Sequence, residues 1–506
     1  MRAQCNNAIG LAGALLLLGL TVPALAQPAD TIRVGAWDFP SGRGNPFSGV
    51  PGIPQVYIWS AVFDTLTYVN EKGSPVGGLA VSWKNINPTT WQFVLRDNVT
   101  FHNGEKLEAD AVVKTLDWFK TEPGKASVAG ATFNYIASAT AVDAKTVELV
   151  TTGPRPIFPN QVAALYVVPP KAWAEMGVEQ FSAKPVGTGP YRPVEWTGEQ
   201  IRTESFPAAF RSPKTPKLTY TRLLEGVARR QALVSNQIDI MIQATTEDIP
   251  VLKAAGATVD VVPSPLTLQL GLVLENPSPG VDITPLRDKR VRLALNLAID
   301  KEAINKNLMG GIMGINTQYS VPTAFGYNPS IKAFPYDPAK AKQLMTEAGY
   351  PNGFRMKAEI RESFDAFQQV AQDLGKIGVT LEMTPIVHAD WVRKFLQVKW
   401  DGQAFSLTLG VAPEIDTVRM MLFQSCRKNP AYYCNQDMMP LINASDAEFD
   451  PARREKILQE LMVKMTEDVP ALFLFELQDI NAYGRRVRGF KNINRVFNYH
   501  EVTLAN

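Results

Sequence analysis

An α/β protein of two or more lobes is the fold class this sequence predicts, and three observations predict it. The chain has 506 residues, and single hydrophobic cores stop growing near ~250–300 residues. Hydrophobic residues make up 45% and charged residues 20%, the balance of an ordinary globular protein rather than a disordered or fibrous one. Residues 354–384 spell strand, helix, strand, the unit of a parallel sheet. No repeat of fixed period and no low-complexity linker interrupts the chain.

The first residues carry an export pattern. Arg2 gives a positive start, Ile9 to Leu20 is apolar, and Ala24-Leu25-Ala26 has the small-x-small form of a cleavage site. Cleavage after Ala26 removes residues 1–26 and leaves 480 residues beginning at Gln27. No Cys stands there to take a lipid. The apolar run is shorter than the ~20 residues a spanning helix needs. Loss of Arg2 lowers Lys+Arg from 51 to 50 against 49 Asp+Glu, a net of +1, which provides no basic footprint for nucleic acid. Cys426 and Cys434 remain, a close pair that an oxidising compartment would join in a disulfide.

Along the chain, Thr31–Ala36 forms a short strand pattern, and Pro40–Pro54 is a Gly/Pro/Ser-rich loop. Tyr57–Phe63 suits a buried helix. Trp91–Arg96 and Val147–Val150 suit strands, with Val112, Val113, Leu116 and Phe119 at helical spacing between them. Residues 69–185 therefore mix strands and helices without a parallel repeat. Further on, Phe354, Met356, Ala358 and Ile360 alternate with charged residues as in a half-buried strand. Phe367, Val370, Leu374 and Ile377 follow at three- and four-residue steps as in an amphipathic helix. Val379–Thr384 is the next strand. Asp337-Pro338 and Asp450-Pro451 open helices, and Asp288 and Asp300 cap two more.

Catalytic signatures are scarce. There is no G-x-x-x-x-G-K-[ST], no G-x-S-x-G and no H-E-x-x-H, and the whole chain has three histidines, His102, His388 and His500. No metal and no cofactor is expected. His102, in Phe101-His-Asn-Gly104, is expected in a turn rather than as a ligand. Candidate cleft residues lie beside strand ends, where such folds bind ligands. They are Trp37-Asp38-Phe39 after the first strand, Gln243 and Thr245 after Ile238–Ile242, Arg361 after 354–360, and Trp391 at a helix start.

Six motifs in order carry a family resemblance: Phe63-Asp-Thr-Leu-Thr67, Pro75–Trp83, Trp91–Gly104, Glu108–Val113, Pro185-Val-Gly-Thr-Gly-Pro-Tyr191 and Leu286–Asp300. Together they resemble the family 5 extracellular solute-binding proteins, the dipeptide, oligopeptide and nickel-chelate binders of ABC importers. The resemblance implies a periplasmic binding protein-like fold of type II with three lobes. Lobe I would contain 27–68, 186–268 and 481–506, inserted lobe II 69–185, and lobe III 269–480. A ligand, peptide or other small solute, would lie in a hinged cleft between the two large lobes. The implied partners are permease subunits with cytoplasmic ATPases, the implied location the periplasm, and the implied state a monomer. The Gly187-Thr-Gly189-Pro turn would use glycine for backbone angles that a side chain forbids. In peptide binders an aspartate pairs with the peptide amino terminus. Here Phe405–Asp416 has Val411 at the Trp position and Pro413 at the Asp position, leaving Glu414 or Asp416 as substitutes. This departure favours opine-like compounds, modified peptides, glycosides or other organic solutes. The alternatives are a periplasmic hydrolase, or a chaperone or chemoreceptor accessory on the same fold.

Overall fold

The structure is a computed structural model that describes residues 30–49, 55–361 and 364–505. The expected export segment 1–26, and Glu362 and Ser363 beside Arg361, lie outside them. Among the described residues the largest sheet has eleven strands. Its spatial order begins Thr380–Pro385, Arg355–Ile360, Ala404–Gly410, Thr258–Leu272, Ala471–Tyr483. It continues Ile240–Met241, Thr31–Ala36, Lys217–Arg222, Gln200–Ser205, Tyr191–Trp196, and Gly314–Ile315 pairs alongside Ala471–Tyr483.

One end of this sheet is the strand–helix–strand unit. Arg355–Ile360 and Thr380–Pro385 run parallel, Met356 opposite Leu381, with the helix Phe364–Gly375 between them in sequence. Phe367, Val370, Leu374 and Ile377 are fully or almost fully buried against Met356, Ala358 and Ile360. The alternation and the helical spacing thus meet in one core. The helix punctuation holds too. Asp288, Asp300, Asp337 and Asp450 accept from the backbone N–H of Arg290, Ala303, Lys340 and Arg453, satisfying amides that the first helical turn leaves without partners.

At the other end, Thr31–Ala36 lies parallel to both Lys217–Arg222 and Ile240–Met241. Ile32, Val34, Tyr220 and Ile240 pack there with the helix Gln55–Val62 and with Phe497 and Tyr499 near the C-terminus. That helix buries every residue from Val56 to Val62, which accounts for its lack of a polar face.

Two long antiparallel strands, Thr258–Leu272 and Ala471–Tyr483, join the halves. Their register breaks between Pro263, opposite Gln478, and Thr267, opposite Glu476. Pro263 and Pro265 supply no N–H to the ladder there. The sheet is therefore continuous across the molecule, with its ladder interrupted at this crossing.

A separate four-stranded antiparallel sheet orders Ala80–Asn87, Thr90–Leu95, Thr146–Thr151 and Ile136–Ala141. The helix Ala109–Phe119 lays Val112, Leu116 and Phe119 over Trp91, Phe93, Val147 and Leu149. Cys426 and Cys434 form a disulfide, with their Cα atoms 4.4 Å apart.

Candidate functional site

A cavity of about 210 Å³ opens where the two halves of the large sheet face each other. One wall is Val56, Ser60 and Phe63, continued by Thr65, Tyr68 and Val69 and by Asn494, Arg495 and Val496. The opposite wall is the end of strand Ala404–Gly410 with Ala412, Pro413, Arg419 and Phe423. Leu266, from the register break in the long strand, Tyr166, packed with the smaller sheet, and Ala163, packed against the core of Val411 and Ile415, complete it. The lining is mainly apolar with a few convergent polar groups, the usual makeup of a small-molecule site.

The first wall is held by one buried carboxylate. Asp64 accepts from the Tyr68 hydroxyl at 2.6 Å, Thr188 Oγ1 at 2.7 Å and Arg211 Nε at 2.6 Å. Arg211 also donates from Nη2 to the carbonyl of Ser60 at 2.8 Å. These bonds fix Tyr68 and the end of the helix that carries Ser60. Burial holds the Tyr68 hydroxyl well above its usual pKa, so it stays a neutral donor.

The second wall is held by a buried ion pair. Asp416 accepts from Arg454 Nη1 at 2.6 Å and Nη2 at 3.0 Å, and from the N–H of Val418 at 2.9 Å. Glu414 takes Arg419 Nη1 on both oxygens, at 3.0 and 2.9 Å. Burial pushes the Glu414 carboxyl up, and Arg419 opposes that shift. Asn160 Nδ2 donates to the carbonyls of Gly73 and Glu414, each at 2.8 Å, tying the smaller unit to this loop. Arg495 is clamped from behind: Asp479 receives Nε at 2.8 Å and Nη2 at 2.6 Å, and Ser264 receives Nη2 at 2.9 Å.

The residues singled out from the sequence fall in four places. Glu414 and Asp416 stand in the loop that forms the cavity wall, each committed to an arginine. Arg361 and Trp391 come together beside Ser406. The Arg361 N–H donates to Ser406 Oγ at 2.8 Å, Trp391 Nε1 to the Ser406 carbonyl at 2.8 Å, and the Arg361 guanidinium lies 4.6 Å from the Trp391 ring centroid. Trp391 also stacks on Phe395 inside the core. Asp38 accepts from Arg222 Nε at 2.9 Å, Phe39 is buried, and Trp37 is half-buried. Thr245 bonds Asp248 through its N–H and hydroxyl, and Gln243 donates its N–H to Asn481 at 3.2 Å. The structure brings none of these into the cavity's lining: Trp37, Asp38, Phe39, Gln243, Thr245, Arg361 and Trp391 lie away from it, and Glu414 and Asp416 stand behind it in the same loop. Ser60, Tyr68, Arg419 and Arg495 do line it, and sequence patterning gave no hint of them.

His102 has a structural place. Its Nε2 donates to the Gly189 carbonyl at 2.9 Å, and its Nδ1 accepts from the Gly187 N–H at 3.2 Å. Burial lowers its pKa to about 4. A folded-state value below the unfolded one means that the unfolded chain takes up the proton first. Stability is therefore full above pH ~6.5 and is lost as pH falls toward ~4. The shift corresponds to a loss of about 3 kcal/mol from this histidine. Urea unfolding at stepped pH checks this, and His102→Gln should flatten the slope across that window.

The model of the bacterial extracellular solute-binding proteins, family 5 Middle, matches residues 74–468. The chain belongs to this family. Among curated relatives, the glutathione-binding protein GsiB of Pectobacterium atrosepticum is 27% identical over 440 residues, covering 82% of this chain and 83% of its own. Among solved structures, DppA of Helicobacter pylori in complex with the peptide STSA superposes with a TM-score of 0.79 at 20% identity, covering 94% of this chain and 98% of its own. AgaA from A. tumefacien R10 in complex with agropinic acid gives 0.77 at 22%, covering 94% and 99%. The expected periplasmic binding protein-like α/β fold is the observed one. As a family 5 member the chain is the solute-binding component of an ABC importer and works with permease and ATPase subunits. Its relatives are solute-binding proteins, not enzymes. Among the described residues no helix is long and apolar enough to cross a membrane.

Proposed function

We propose that this chain is a periplasmic receptor that closes on a small peptide-like solute and releases it, chemically unchanged, to a membrane permease. The cavity shared between the helix Gln55–Val62 and the segment 410–419 carries this reading, because two long strands with a break in register connect those walls. Such a crossing is where a hinge between lobes 27–68/186–268/481–506 and 269–480 would bend, with 69–185 as the inserted lobe. Export would follow cleavage after Ala26. The glutathione in the name of the GsiB relative, the peptide STSA bound by DppA and the agropinic acid bound by AgaA support small peptides and related organic acids as candidate solutes.

Calorimetric titration of the mature chain with glutathione, short peptides and agropinic acid tests it. One-to-one saturable binding of at least one solute, recovered intact by mass spectrometry, is the expected result. Release of a cleaved product would indicate a hydrolase instead. Preferential capture of unfolded chains over every small solute would indicate a chaperone.

A further inference from the structure

The charge arrangement of the cavity narrows the solute further, an inference that rests on the solute-binding reading above. Among the described lining residues two are charged, Arg419 and Arg495, and none is a carboxylate. The nearby carboxylates are already used. Glu414 holds Arg419, Asp416 is locked to Arg454, and Asp479 holds Arg495. Each lining guanidinium is thus backed by a carboxylate, and Arg419 also borders a smaller adjoining cavity with Glu414 and Asp446.

A guanidinium has five N–H donors. Arg419 spends only Nη1 on Glu414, so Nε and Nη2 have no protein acceptor among the described residues. Arg495 spends Nε and Nη2, which leaves Nη1. Both side chains are largely buried, 18% and 12% exposed. Among the described residues none of these N–H groups is sealed from solvent without a partner, so they are open to a ligand, and a planar carboxylate is the acceptor that fits a guanidinium best. Ser60 Oγ, buried and without a partner, faces the same space and adds a neutral donor or acceptor. A ligand ammonium would meet two like charges there and, among the described lining residues, no carboxylate. Recruiting Glu414 for it would displace Arg419 and leave that guanidinium unpaired.

We infer that this receptor selects an acidic solute: a carboxylate of the ligand binds Arg419, a second acceptor group reaches Arg495, and no α-ammonium is required. Arg419 is the specificity-determining residue, and Glu414 positions it.

The test uses the mature chain and chemically matched probes: glutathione, N-acetylglutathione, glutathione with both carboxylates amidated, and trialanine amide. Amidation is expected to weaken binding about 100-fold, and N-acetylation by less than about 3-fold. Arg419→Gln should weaken glutathione by about 100-fold and shrink the difference between acid and amide, with Arg419→Lys recovering part of it. The probe series on the unaltered protein stands even if Arg419→Gln folds poorly. Equal affinity for acid and amide, or loss of binding on N-acetylation, overturns the inference. Preference for trialanine amide overturns it while leaving the solute-binding reading intact. If none of the four probes binds, this inference falls, while the family assignment, which rests on the match over residues 74–468, stands.

Discussion

Asp416→Ala is expected to destabilise the protein by about 3–5 kcal/mol, the cost of breaking a buried ion pair from one side. The side chains of Asp416 and Arg454 are 2% and 3% exposed. Removing the carboxylate leaves Arg454 with one remaining acceptor, the Ser445 carbonyl at 2.9 Å, and with the Phe325 ring 5.3 Å from its guanidinium carbon. The Val418 N–H loses its acceptor as well. Binding should fall with stability, because the same carboxylate holds the loop that presents Pro413 and Arg419 to the cavity. A double-mutant cycle separates the two costs. Asp416→Leu with Arg454→Met removes both charges, and the pair should lose less than the two single changes combined, by at least ~1.5 kcal/mol. Urea unfolding measures Asp416→Ala and the four proteins of the cycle. A single-mutant cost below about 1 kcal/mol would mean that this pair does not organise the loop.

The fold was legible wherever one short stretch carries its own periodicity. Met356, Ala358 and Ile360 alternate, Phe367, Val370 and Leu374 repeat helically, and the core that contains them follows from those spacings alone. The cavity was not legible in this way. Its polar groups include Ser60, Tyr68, Thr408, Arg419 and Arg495, from segments that no local period connects. Arg419 follows Glu414 by five residues, across a turn and into the short helix Val418–Met421, so their pairing depends on the turn that Asp416 and Phe325 hold. Strand ends pointed to Trp37, Gln243 and Arg361. Which strand ends face the cleft depends on strand order, and the order crosses between halves through two strands some 200 residues apart in sequence. The departure at Val411 and Pro413 was readable, and both the loop and Pro413 prove to be cavity wall.

Gly187 and Gly189 correct the sequence reading in an instructive way, and the correction carries the second large effect. Neither has a positive φ, so backbone angles do not demand glycine there. Close approach does. A Cβ on Gly187 would sit 2.0 Å from the Val62 carbonyl oxygen and 2.8 Å from Phe63 Cδ1. One on Gly189 would sit 2.5 Å from the Val62 carbonyl carbon. The obstacle is mainly backbone, at the end of the helix that carries Ser60, so no rotamer relieves it. The Gly189 N–H donates to the Val62 carbonyl at 2.9 Å, and Thr188 reaches Asp64, so the turn cannot retreat without losing both bonds. Gly187→Ala is therefore expected to cost about 2–4 kcal/mol and to weaken ligand binding by displacing Ser60 and Tyr68. Gly104 supplies the control. Its φ is +88°, and a Cβ there would meet nothing within 4 Å, so Gly104→Ala incurs only the left-handed strain of about 1–2 kcal/mol and should leave binding unchanged. Thermal and urea unfolding of both variants, with ligand titration, decide the matter. If Gly104→Ala proves the more damaging, close packing against Val62 is not what requires glycine in this turn.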